Sequence, residues 1–189
     1  MKTINELDKH IASFIQGGFG QADMAVMKEE CEKLKPGDVY VEIGVDEGRS
    51  ARVAHEYAKE GVYKLWIDIH DPDAHSASIG RRKWMEQEGM VGLGKKGFYI
   101  HGDADELIGL IENRGGIGNN EGFVALLFID GHHDYESVRR NTFLWEPHVM
   151  HGGVILFHDY DHLETKRWLD EYYGDNKEVL HNKIVRVRK

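Results

Sequence analysis

Residues 123–160 read FVALLFIDGHHDYESVRRNTFLWEPHVMHGGVILFHDY. Phe123–Ile129 is an unbroken apolar run, and Val154–Phe157 is a second one. Each stops abruptly in aspartate and histidine: Asp130, Gly131, His132, His133 and Asp134 after the first, then His158, Asp159, Tyr160, Asp161 and His162 after the second. Continuous apolar runs, in place of alternating ones, predict strands buried on both faces. Between them, Tyr135–Val149 reads as a helix. A strand, a crossover helix and a second strand make the repeating unit of a parallel sheet.

The same alternation continues on both sides of this block. DVYVEIGV (38–45), VYKLWIDI (62–69) and FYIHG (98–102) read as strands. RSARVAHEYAKE (49–60), ASIGRRKWMEQEG (77–89), DADELIGLIEN (103–113) and ETKRWLDEYYG (164–174) read as helices. EVLHN (178–182) and KIVRVRK (183–189) predict a terminal hairpin. At the other end, Thr3 and Glu6 form a capping-box pattern, and Ile4, Leu7, Ile11, Phe14 and Ile15 share one helical face. Gly17–Gly20 breaks that helix, and Met24, Met27, Cys31 and Leu34 mark a second that ends before Pro36-Gly37. The expected fold is α/β: a Rossmann-like, doubly wound, mostly parallel seven-stranded sheet with helices on both faces and a C-terminal antiparallel hairpin. We expect one domain over residues 1–189, with 1–35 as a helical cover and 36–189 as the core.

Bulk properties narrow the partners. The chain has 189 residues and a formal net charge of -9, which repels phosphate backbones, so no nucleic acid partner is expected. A single cysteine, Cys31, excludes an internal disulfide and suits a reducing compartment. MKTINELDKH lacks the apolar centre of a signal peptide, and the run FVALLFI is too short to cross a bilayer. A cytoplasmic protein without a membrane partner is the expectation, and the N-terminal helices are candidates for a homodimer face.

In doubly wound sheets, ligands bind beyond the carboxyl ends of the strands. Here every such end carries an acid: Glu42, Asp68 (with His70 and Asp71 following), Asp103, Asp130 and Asp159. The first loop, VEIGVDEGRS, spaces Glu42, Gly44 and Gly48 between a strand and a helix, but it is not the G-x-G-x-x-G of dinucleotide sites. Asp46 and Glu47 would repel a pyrophosphate at that helix N-terminus. They suit a ligand with positive charge and no phosphate, and S-adenosylmethionine, with a sulfonium and an ammonium group, is one. Asp68 lies about 20 residues past the glycines, where an acid grips ribose hydroxyls. Asp103 has two readings, an acceptor for an adenine amino group or a cap of the helix that follows.

With VEIGVDEGRS and the block from IDGHHDY to GGVILFHDY read together, the chain resembles the class I S-adenosylmethionine-dependent methyltransferases. It is most similar to a small family related to macrolide-sugar O-methyltransferases and close in layout to catechol O-methyltransferases. The likeness runs from about Asp38 to Tyr160. It implies cofactor contacts from Glu42, Gly44, Gly48, Ser50, Asp68, Asp103, Ala104 and Asp130. It also implies a divalent cation, Mg or Mn, held by Asp130 after the fourth strand and Asp159 after the fifth. The sequence departs from that pattern beside Asp159, where His158 stands in place of a carboxylate or amide and becomes the third candidate ligand.

The expected chemistry is methyl transfer to a hydroxyl of a small molecule, with the cation lowering the pKa of that hydroxyl and His133 or His132 taking its proton. The histidine pair has a second reading, as loop residues capping the helix from Tyr135. Tyr135, Trp145 and Trp168 fall at core spacing, whereas Trp84 and Met85 are candidates to line a substrate pocket. Three rivals remain. A nicotinamide oxidoreductase lacks its glycine fingerprint here. A zinc hydrolase would use His132, His133, Asp134, His158 and Asp159. A non-catalytic S-adenosylmethionine-binding module would bind without turnover.

Overall fold

The structure is a computed structural model that describes residues 1–13, 18–69, 85–92, 94–113, 122–181 and 183–189. Among them run α1 (Ile4–Ala12), α2 (Gln21–Cys31), β1 (Val39–Ile43), α3 (Arg49–Tyr57), β2 (Tyr63–Asp68), β3 (Gly97–His101) and α4 (Ala104–Asn113). They are followed by β4 (Val124–Ile129), α5 (Tyr135–Trp145), β5 (Val149–Phe157), α6 (Leu163–Tyr173), β6 (Glu178–Val179) and β7 (Val185–Arg188). The sheet order is β3-β2-β1-β4-β5-β7-β6. The first five strands in this order pair in parallel, and β7 pairs antiparallel with both β5 and β6. The doubly wound sheet with a terminal hairpin is therefore the observed fold. Phe14, Ile15, Gly17, His70, Asp71 and Trp84 lie outside the described residues, as does most of the helix expected over 77–89.

The local signals act as their chemistry requires. Thr3 Oγ1 accepts from the Glu6 amide at 3.3 Å, and Glu6 accepts from the Thr3 amide at 2.8 Å, so the capping box closes. In α2, Met24, Met27 and Cys31 are buried, as their spacing predicts. The helix expected over 135–149 is shorter. Pro147 has no N–H to extend the α-helical ladder, so α5 ends at Trp145, a 3-10 turn covers Glu146–His148, and Val149 already belongs to β5.

The sheet separates two cores. One packs Leu7, Met24, Met27 and Ala51 of the first three helices on Tyr40, Trp66, Leu126, Phe128 and Leu156. The other packs Ile108, Val138, Trp145 and Trp168 on Val41, Ile67, Leu127, Ile129 and Phe157. Residues 126–129 of β4 alternate between them, as successive side chains of a strand must. Ala125 interrupts the alternation because the pairing of β4 with both neighbours shifts register between Val124 and Leu126. Met85 is buried in the first core, so of the two candidate pocket residues the described one is a packing residue.

Candidate functional site

The strand register builds the site. Ile67, Ile43, Ile129 and Phe157 stand side by side across β2, β1, β4 and β5. The residues one step further, Asp68, Gly44, Asp130 and His158, therefore form the next row, at the carboxyl edge. The ladder continues into that row: the amides of Gly44, Asp130 and His158 donate to Ile67, Ile43 and Ile129 at 2.9, 2.8 and 3.0 Å. The order of strands reverses between β1 and β4, and a crevice opens there in folds of this kind.

Backbone geometry shapes the β1 side. Gly44 has φ 83°, and a Cβ there would lie 2.2 Å from the carbonyl oxygen of Asp130, so only glycine fits against the β4 loop. Gly48, φ 84°, leads into α3. Asp46 between them has φ 43°, uncommon for a residue with a side chain. Asp68 reaches across from β2, and its Oδ2 accepts from the amides of Val45 and Asp46, each at 2.8 Å. The acid read as a ribose ligand thus also holds the loop. Glu42 is fully buried beneath it, accepting from the Tyr40 hydroxyl at 2.7 Å and from the Ser50 hydroxyl. Burial pushes its carboxyl up to about 8 in spite of those two donors, helped by the nearby charges of Asp130 and Asp68.

Side-chain charge shapes the β4–β5 side. Asp159 follows β5 by two residues and holds φ 55°, a strained conformation for a non-glycine residue and one typical of functional sites. Its Oδ2 lies 2.8 Å from Nε2 of His133 and 3.1 Å from Nδ1 of His158. That same Nδ1 is 3.1 Å from Oδ1 of Asp130. Burial opposes charge on His158, but the surrounding carboxylates prevail and raise it to about 11. Burial likewise opposes ionisation of Asp159, yet the two histidines hold its carboxyl well below the usual range. Asp130 is shifted the other way, up, because burial outweighs His158. His133 is raised first by its hydrogen bond to Asp159.

Asp130, His133 and Asp159 each present one ligand atom, and these atoms lie within 4.8 Å of one another. The two carboxylates in that space fit a divalent cation, with the imidazole of His133 beside them. His158 stands one step behind and is buried, its Nδ1 in contact with both carboxylates although neither ring nitrogen makes an aligned hydrogen bond among the described residues.

The two sides face one cleft of about 530 Å³. Of the residues singled out from the sequence, Gly44, Ser50, Asp68, Asp103, Ala104, Asp130, His132, His133, His158 and Asp159 line it, while Glu42 and Gly48 lie behind its wall. Asp103 also caps α4, accepting from the Asp105 amide at 2.8 Å. The cap of α5 is Asp134, which accepts from the Ser137 amide at 3.0 Å, so the histidine pair is not needed for that task. His132 is exposed.

Sequence reading missed Phe19, Arg49, Asp105, Arg140 and Asn141, which also line the cleft. Arg49 follows the glycine loop directly, a position that could have drawn notice. Its guanidinium donates to the Phe19 carbonyl at 3.0 Å and to Asp8 of α1 at 2.7 Å, which ties the N-terminal helices to the loop. Arg140 pairs with Asp105. Seven acids line the cleft against two arginines, and both arginines have carboxylate partners, so the field favours a cationic ligand.

Residues 41–160 match the family described as Methyltransferase domain. No curated protein matches the chain. Among solved structures, MycE methyltransferase from the mycinamycin biosynthetic pathway, in complex with Mg, SAH and mycinamycin VI, superposes with a TM-score of 0.68 at 17% identity. That alignment covers 100% of this chain but 54% of MycE, so the chain spans about half the length of that relative. An O-methyltransferase from Bacillus cereus in complex with SAH gives a TM-score of 0.66 at 15% identity over 100% of this chain and 92% of the other. CalS11, a TDP-rhamnose 3'-O-methyltransferase of calicheamicin biosynthesis, gives 0.61 at 14% identity over 98% and 92%. At these identities the structural matches establish a shared fold.

Proposed function

Because the chain belongs to the Methyltransferase domain family, with residues 41–160 carrying the match, we propose that it transfers the methyl group of S-adenosylmethionine to a hydroxyl of a small molecule, with a divalent cation beside the acceptor. One observation carries this reading: the convergence of Asp130, His133 and Asp159 at the β4–β5 end of the acidic cleft that the glycine loop and Asp68 line.

The cofactor occupies the β1–β2 side in this reading. The loop from Gly44 to Ser50 would let its backbone pass close, Asp68 would address the ribose, and Asp103 and Ala104, which line the same cleft, would meet the adenine. The acidic lining favours the sulfonium form over the neutral sulfur of the product. MycE and the Bacillus cereus enzyme, which share the fold, are described with SAH, and MycE also with Mg.

Asp130 and Asp159 would hold the cation, and their oxygens favour Mg or Mn. A cation bound there supplies positive charge that lowers the pKa of an adjacent hydroxyl. His133 accepts the proton. Its Nε2 is turned to Asp159 at 2.8 Å, which leaves the lone pair of the neutral ring on Nδ1. With 40% of its side chain exposed, His133 can pass that proton on to solvent. The oxyanion attacks the methyl carbon in line, the carbon–sulfur bond breaks, and S-adenosylhomocysteine leaves with the electron pair. Alignment of the two substrates supplies much of the rate.

Calorimetric titration of S-adenosylmethionine and its demethylated product, each with and without Mg or Mn, tests this directly. Binding of both nucleosides, with a metal signal that Asp159→Ala removes, is the expected result. Nucleoside binding without a metal signal would retain methyl transfer and discard the cation. No nucleoside binding would overturn the function and bring a metal-dependent hydrolase forward.

A further inference from the structure

Asp23 lies in α2, part of the N-terminal cover, and its side chain is almost wholly buried at 5% exposed. One oxygen, Oδ2, accepts from the Gly20 amide at 2.7 Å, which closes the first turn of α2. A cap of this kind is ordinary and needs no burial, because helix ends are usually at the surface. The rest of the surroundings of Asp23 is not ordinary. The same Oδ2 lies 3.6 Å from Nε2 of His158, and Oδ1 lies 3.0 Å from Nε2 of His181, in the connection between β6 and β7. Oδ1 of Asp23, both nitrogens of His158 and Nε2 of His181 are buried without aligned hydrogen bonds among the described residues. Buried polar groups left in that condition need a reason, since each forfeits its solvation.

The reason lies at the far end of His158. Its Nδ1 touches both Asp130 and Asp159, at 3.1 Å each, so one ring spans the two carboxylates assigned to the cation. The Phe19 ring packs on it with centroids 5.4 Å apart, and Phe128 meets it edge-on at 6.2 Å. These aromatic contacts restrain the ring but cannot tell one nitrogen from the other. A carboxylate at the Nε2 end can.

We propose that Asp23 is a positioning residue: it orients His158 so that Nδ1 stays between Asp130 and Asp159, and thereby holds those two carboxylates at the spacing the cation needs. This rests on the assignment of the cation to that pair. It makes the N-terminal cover a working part of the site, and the contact from His181 extends the support to the C-terminal hairpin. Partners behind a metal's own ligands commonly shift affinity or activity by about 10–100-fold when replaced.

Asp23→Asn separates positioning from capping, because the amide oxygen still accepts from Gly20 while the negative charge is gone. Titration of the full chain with MnCl2 alone is expected to show Mn binding weakened about 10-fold or more, with product nucleoside affinity and melting temperature close to those of the parent. The imidazole signals of His158 in 15N-histidine-labelled protein, assigned with His158→Gln, should shift or broaden in Asp23→Asn. A capping role alone predicts that neither Mn affinity nor these signals move, and that result overturns the proposal. If Asp23→Asn fails to fold, Asp23→Ser, which keeps a short oxygen for the Gly20 amide but removes the carboxylate, decides: unchanged Mn affinity and unchanged His158 signals there overturn it. If the parent binds nucleoside but no Mn, the cation assignment is what fails, and the ring signals still judge whether Asp23 orients His158.

Discussion

Gly44 stands one residue past β1 and Asp159 two residues past β5, and both hold a positive φ, 83° and 55°. The causes differ. At Gly44 the backbone of Asp130 comes so close that no side chain fits, and the conformation is cheap because glycine tolerates it. At Asp159 the side chain is the point: the unfavourable backbone aims a carboxylate at His133 and His158. The β1–β2 side of the cleft is thus specified by what the main chain can do, and the β4–β5 side by where charges sit. A site made in these two ways should come apart in two ways.

Gly44→Ala should break both halves at once. The added methyl meets the Asp130 backbone, so either the loop or the β4 end must shift. We expect a loss of about 3 kcal/mol in stability from crowding and strain together, with nucleoside and metal binding both impaired, as measured by chemical denaturation and calorimetry. Intact binding of both ligands would show that the two sides are less tightly abutted than the structure indicates.

Substitutions within one half should spare the other. Asp159→Ala is expected to abolish the Mn signal and any methyl transfer found in a screen of diols and catechols, with product nucleoside affinity within about 3-fold of the parent, since the main-chain loop is untouched. His133→Gln should slow transfer by about 100-fold or more while both ligands still bind, because it removes a proton acceptor. On the other side, Asp68→Asn should weaken nucleoside binding by about 10-fold, the loss of one charged hydrogen-bond acceptor, and leave Mn affinity unchanged. A fall in Mn affinity on Asp68→Asn would join what the comparison keeps separate.

The smallest effect is on stability against pH in chelator-treated protein. Glu42 is raised from 4.5 to about 8 and His158 from 6.5 to about 11, so in both cases the folded protein holds protons that the unfolded chain releases. The contribution of Glu42 is complete below pH 4.5 and is lost as pH rises to about 8. That of His158 is complete below 6.5 and is lost toward 11. Asp159 is lowered from 3.8 and has the opposite sign: it stabilises above that value and loses its contribution in more acid solution. The melting temperature should therefore peak in mild acid and decline upward. Glu42→Gln should flatten the first part of the decline and His158→Gln the second. A melting temperature that rises from pH 5 to 9 would contradict the burial of Glu42 and the carboxylate contacts of His158.

Much of this was legible before any coordinates. The runs ending at Ile129 and Phe157 read as strands because nothing polar interrupts them, and those ending at Ile43 and Asp68 because β-branched and aromatic residues dominate around Glu42 and Lys64. Their acids fall on one edge because the strands run parallel. Gly44, Asp68, Asp103, Asp130, His133 and Asp159 could be named from strand ends alone, and each lines the cleft. The C-terminus of α5 was misplaced by four residues because apolar spacing continues through Trp145 to Val149 while Pro147 has already ended the ladder. The strand end alone does not show that the Glu42 side chain is fully buried against Tyr40 and Ser50, because that depends on how β1 packs beneath the loop. Phe19, Arg49 and Asp23 were not assigned to the site. Their sequence signals, a glycine-flanked aromatic, a helix-start arginine and an acid in a helix first turn, are each fully explained by local structure.

The sequence by itself determined the order of elements, the parallel sheet and the acids at its carboxyl edge, since hydrophobic period and strand ends are local properties written along the chain. Only the tertiary structure decided which of those acids meet. That depends on strand register and on the reversal of order between β1 and β4, which bring Gly44 against Asp130. It also decided that Asp23 from the second helix and His181 from the last hairpin reach His158, because contacts between residues far apart in sequence follow from packing and leave no period in the chain.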